Sequence, residues 1–81
     1  MSRSDYKETE RNRHATLERI LRIVRYIETS PRWVSMEDLT GLGLQVHRKT
    51  LWRYMNVIET VYGLEVRGGG KGSVLQWRAP R

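Results

Sequence analysis

Leu17, Ile20, Leu21, Ile23, Val24 and Ile27 recur at helical spacing on an arc about 160° wide. The first thirty residues contain no Gly or Pro, so the pattern predicts one long helix whose stripe is buried. Asp5 with Glu8 three residues on supplies an opening capping pair. Upstream of Leu17 the same face offers only Tyr6, Thr9 and Arg13. Residues 1–13 are therefore an N-terminal extension, either frayed or continuing the helix, and residues 14–81 form the domain proper. Ser30-Pro31 stops the helix, and Trp33-Val34 is a β-prone pair that needs a partner strand. Ser35 followed by Asp38 marks the start of a brief second helix through Met36 and Leu39, closed by Gly41 and Gly43.

A third helical pattern spans residues 46–62. Leu51, Tyr54, Met55, Ile58, Val61 and Tyr62 gather on one side, and Lys49, Trp52, Arg53, Asn56 and Thr60 on the other. Gly63 suits its C-terminal end. Residues 64–67 and 73–78 then alternate as strands around the glycine-rich turn at 68–72, a β-hairpin. The order of helix, short strand, short helix, turn, longer helix and hairpin is α+β.

At 81 residues the chain has room for one core, and 38% hydrophobic residues with 30% charged suit a folded domain. Without Cys there is no disulfide or thiolate metal site, and two His make a poor one. No cofactor motif, metal cluster or Ser, His and carboxylate arrangement stands out, which argues against an enzyme, a cofactor and a small-molecule site. The glycine turn lacks the Lys-Ser/Thr and following helix of a P-loop. No apolar run reaches membrane-span length and residues 1–13 lack a signal-peptide core, so a cytoplasmic, membrane-free location is expected.

Charge adds the partner class. Fifteen Lys and Arg against nine Asp and Glu give +6, which favours a polyanion. Residues 1–29 mix seven basic with five acidic side chains, whereas Arg48, Lys49 and Arg53 on the third helix have no acid among them. From Val66 onward Arg67, Lys71, Arg78 and Arg81 are likewise unmixed. A helix following a short turn and displaying Arg, Lys and Asn meets the requirement for entering a major groove, since Arg bonds guanine and Asn adenine in two places. Arg48, Lys49 and Arg53 also suit phosphates, as do the free amides at the helix start. His47 caps that helix or touches phosphate. Trp52, on the polar side, either stacks on sugar and thymine methyls or folds back onto the domain or a second copy. The hairpin tip, with Lys71 and flanking Arg67, can lie against a backbone or minor groove.

These residues carry a resemblance. Over residues 17–77, about three quarters of the chain, it resembles the winged helix-turn-helix DNA-binding domain of bacterial DeoR-type and WYL-type regulators. The matching stretches are ERILRIV at 18–24, VSMEDL at 34–39, VHRKTLWR at 46–53 and RGGG at 67–70. The resemblance implies a three-helix core, a small antiparallel sheet with Trp33-Val34 beside the hairpin, a recognition helix from His47 and a wing at residues 68–72. It also implies that Arg48, Lys49, Thr50, Trp52 and Arg53 face DNA. The sequence departs from the family pattern in a turn one residue longer, in His47 where a small hydroxyl residue is usual, and in Tyr54 where an acid is common. It carries none of the ligand-sensing domain of those regulators, so a fragment or a small stand-alone bacterial or phage regulator is expected.

The expected function is sequence-specific binding of double-stranded DNA by a transcriptional regulator, through His47, Arg48, Lys49, Thr50, Trp52, Arg53, Asn56, Arg67 and Lys71. Two alternatives stay open: an architectural or recombination-directionality protein, and a winged helix used to bind protein. A homodimer is also expected, paired through the extended first helix, on which Tyr6 and Tyr26 have no evident intramolecular task.

Overall fold

The computed structural model describes residues 3–80, with side chains from residue 13 to 80. The side chains of Asp5, Tyr6, Glu8 and Thr9, and the whole of Arg81, lie outside the described residues; the first helix already includes Arg3, so Asp5 lies inside it and is not the opening cap expected from sequence. Helix α1 runs unbroken over Arg3–Thr29, so the N-terminal extension continues the helix. Strand β1 (Val34–Ser35), helix α2 (Met36–Thr40), helix α3 (Arg48–Ile58) and strands β2 (Glu65–Arg67) and β3 (Gln76–Arg78) follow. The strands form one antiparallel sheet in the order β1-β3-β2. The fold is thus α+β, three helices with a small three-stranded sheet.

The core collects Ile23 and Ile27 from α1, Met36 and Leu39 from α2, and Leu51, Met55 and Ile58 from α3. Register places Val34 opposite Trp77 and Trp77 opposite Val66. Val34 and Trp77 are buried, and the Trp77 indole N–H donates to Glu59 at 3.3 Å. Burying a ring this large is worth several kcal/mol, about 3–5 by truncation to Ala. Trp77 is therefore the residue on which sheet and helices converge.

Local chemistry sets the ends. Ser35 Oγ accepts from the Asp38 amide at 3.3 Å while the Asp38 carboxylate accepts from the Ser35 amide at 2.9 Å, a reciprocal cap that lets a five-residue helix begin. The amide of Gly41 donates back to the Glu37 carbonyl and closes it. Past Ile58 the chain makes one wider, π-helical turn over Glu59–Gly63, finished by the Leu64 amide bonding the Glu59 carbonyl at 3.2 Å. Gly63 adopts φ +80°, which other residues resist.

Three sequence expectations need correction. The stripe on α1 is not wholly buried, because the core reaches only the side bearing Ile20, Ile23, Val24 and Ile27; Leu17 and Leu21 are 57% and 65% exposed. Val61 is also exposed, since it sat at the margin of the apolar arc of the third helix and the π turn changes the phase there. The hairpin strands are three residues each, because left-handed Gly68, Gly69 and Gly72 and a turn from Ser73 N to Gly70 O leave residues 68–75 as a loop. Tyr26, in addition, is half-buried and packs against the core. Tyr62 donates its hydroxyl to Glu28, tying the end of the π turn to α1. That hydrogen bond, then desolvation and repulsion by the carboxylate, raise the Tyr62 pKa above the usual tyrosine range. Among the described residues no helix is long and apolar enough to cross a membrane.

Candidate nucleic-acid interface

Leu51, Met55 and Ile58 fix the rotation of α3 by pointing into the core, and the 3.6-residue period then turns Lys49, Arg53, Asn56 and Thr60 outward. All four are exposed. The Thr60 hydroxyl donates to the Asn56 main-chain carbonyl at 3.0 Å, and the Asn56 side chain is exposed. At 1.5 Å per residue this stripe is about 16 Å long, the scale of a few base pairs in a groove.

The N-terminus of α3 is capped by His47, whose Nδ1 accepts from the Lys49 amide at 3.2 Å. The Thr50 and Leu51 amides both donate to the His47 carbonyl, at 2.9 and 3.1 Å. Three of the amides that the sequence left for a phosphate, those of Lys49, Thr50 and Leu51, are thus already bonded within the chain, and an anion reaching the Lys49 amide would have to displace the imidazole. Arg48 is exposed on a different flank, lining a groove with Ser35, Glu37, Val74 and Gln76 between α2 and the hairpin. Thr50 is half-buried.

Trp52 takes the inward of its two placements. Its ring meets Trp77 edge to face, with centroids 5.6 Å apart, and it packs on the core while remaining partly exposed. The reason is position: on the projection it falls between the dry arc and the basic stripe, within reach of the largest buried ring. It buttresses the stripe rather than standing out from it.

On the sheet, Trp33 receives two guanidinium groups, Arg67 at 4.4 Å and Arg78 at 4.3 Å from its ring centroid. Arg67 Nε also donates to Gln76 Oε1 at 2.8 Å, and Arg78 Nε to Glu65 at 2.7 Å, the latter within a salt bridge. Arg78 is thereby neutralised by an acid, whereas Arg67 is held in place by neutral groups and keeps its charge uncompensated. Lys71 is exposed at the hairpin tip. Sequence reasoning missed the Trp33 stack. Its signal was the alternation in β3, which sets Gln76 and Arg78 on one face, but bringing Arg67 and Arg78 together over Trp33 needs the strand register.

The structure therefore gathers Lys49, Arg53 and Asn56 on one exposed stripe, with the His47 cap at its start, Arg48 on a separate flank beside α2, and Arg67 and Lys71 on the hairpin. It draws Thr50 and Trp52 partly inward. No group of three or more His, Cys, Asp or Glu that could hold a metal occurs among the described residues. The arrangement is exposed and basic, and its charge suits contact with an extended anion. Compared with protein-family models, curated proteins and solved structures, the chain matches none.

Proposed function

We propose that this chain is a winged-helix module that binds double-stranded DNA in a sequence-dependent way and acts as a transcriptional regulator. In this reading α3 enters the major groove, with Arg53 and Asn56 reading base edges and Arg48 and Lys49 on phosphates. The hairpin is the wing, resting Arg67 and Lys71 on the adjacent backbone. The observation that carries it is the exposed stripe of Lys49, Arg53 and Asn56 on the helix that follows α2. The strand order β1-β3-β2, with β1 between the first two helices, supports the winged-helix assignment.

The test is affinity for duplex DNA as a function of salt, alongside selection of bound sequences from a random duplex pool. Neutralising about four to six phosphates gives a slope of log affinity against log salt near −0.9 for each, roughly −4 to −5 in all. The selected pool should converge on a short motif. A flat salt response overturns the DNA reading, and a steep one without any enriched motif leaves only unspecific binding.

A further inference from the structure

The outer face of the sheet, turned away from the buried Trp77, carries Gln76 and Arg78 of β3, with Arg67 of β2 in register opposite Gln76. Trp33, the residue before β1, meets both guanidinium groups there, at 4.4 Å for Arg67 and 4.3 Å for Arg78. Two cations over one ring repel each other unless one is neutralised, and Glu65 neutralises Arg78 through its salt bridge. The charge left over is that of Arg67.

Arg67 is thus ordered without being neutralised. Contact with the ring uses none of its N–H donors, and Gln76 Oε1 accepts only from Nε, at 2.8 Å, so the donors of the two Nη groups stay available to a ligand. Gln76 also lines the groove between α2 and the hairpin, together with Arg48. The residue that anchors Arg67 therefore borders the start of α3.

We propose that Trp33 is a positioning residue that holds the Arg67 guanidinium ready for a backbone phosphate of duplex DNA. The proposal rests on the DNA reading of α3 and the hairpin, and adds to it a residue that belongs to neither. A free arginine side chain gives up rotamer freedom when it meets a phosphate, whereas one already held by a ring and an amide gives up less and binds more tightly through the same contact. If Trp33 merely covered the sheet, its removal and that of Arg67 would affect binding independently.

Two measurements test this. In the free chain, NMR should show the Arg67 side-chain protons shifted upfield by the Trp33 ring, a shift lost in Trp33→Leu and kept in Trp33→Tyr. Binding is measured by fluorescence anisotropy on random duplex, because a phosphate contact does not depend on sequence. There Arg67→Ala should bind about tenfold and Trp33→Leu about threefold more weakly, with Trp33→Tyr close to wild type. The double variant should bind like Arg67→Ala alone, since Trp33 acts only through that side chain. Circular dichroism checks the fold of each variant; if Trp33→Leu unfolds, the wild-type spectrum decides, and an unshifted Arg67 overturns the proposal. A folded Trp33→Leu that binds like the wild type also overturns it, as does a double variant weakened by the product of the two single losses. Those outcomes leave the DNA reading standing, whereas a wild type with no affinity for any duplex removes both.

Discussion

Arg53 and Lys71 are both exposed cations, yet their settings give them different tasks. Arg53 stands on a helix rotated by three buried neighbours and one turn from Asn56, so its side chain leaves the domain on a fixed side and its planar guanidinium can bond one base in two places. Lys71 sits in a glycine-rich loop on a flexible stem, and a point charge so held reads position but not sequence. Arg53→Ala should therefore cost about 1–3 kcal/mol on the selected site and relax preference at one base pair, with little effect on random duplex. Lys71→Ala should weaken both duplexes alike and reduce the salt slope by about one. Fluorescence anisotropy on both duplexes at several salt concentrations makes the comparison. Equal losses for Arg53→Ala on both would remove its base-reading role. Trp52 belongs to this scale too, because its edge-on contact with Trp77 ties the direction of the stripe to the central strand.

At the scale of elements, the hairpin depends on one backbone approach. Gly68 has φ +77°, and a Cβ there would lie 2.1 Å from the Val74 carbonyl oxygen, which is backbone and has no rotamer to change. Gly70, two residues on, has an ordinary φ and open space around its Cβ position. Gly68→Ala should lower stability by about 2–3 kcal/mol or open the hairpin, while Gly70→Ala leaves the thermal midpoint within a degree or two. Melting curves of the two variants decide it, and equal midpoints would show that the approach is not needed. The helices, their order and the capping of α2 were legible because each rests on local signals such as Ser35 with Asp38, or on a 3.6-residue stripe. The glycine turn was legible as well, but the true ends of β2 and β3 were not, since alternation persists at Ser73 and Val74 where the left-handed glycines have already bent the chain. The basic stripe on α3 followed from the same periodicity that showed its dry face. What periodicity could not show was how much of a stripe the rest of a small domain can cover, which is why Leu17 and Leu21 read as core. The Trp33 stack depended on strand register, a long-range property that no window of residues contains.

At the scale of the whole molecule, the sheet binds together parts of the chain made at very different times. Strand β3, the last described element, lies in the middle, hydrogen-bonded to β1 on one side and β2 on the other, and brings the buried Trp77 with it. Helices α1 to α3 have therefore been made before the ring they close upon exists. During synthesis, a ribosome-bound chain lacking residues 76–78 outside the exit tunnel has neither the centre of its sheet nor its largest core side chain. Acquisition of the native state should then be a single late event rather than a gradual one. Nascent chains stalled at successive lengths and challenged with protease should remain sensitive until Arg78 has emerged and become resistant together after it. Resistance gained once α3 alone is outside would mean that the helices hold without their centre strand.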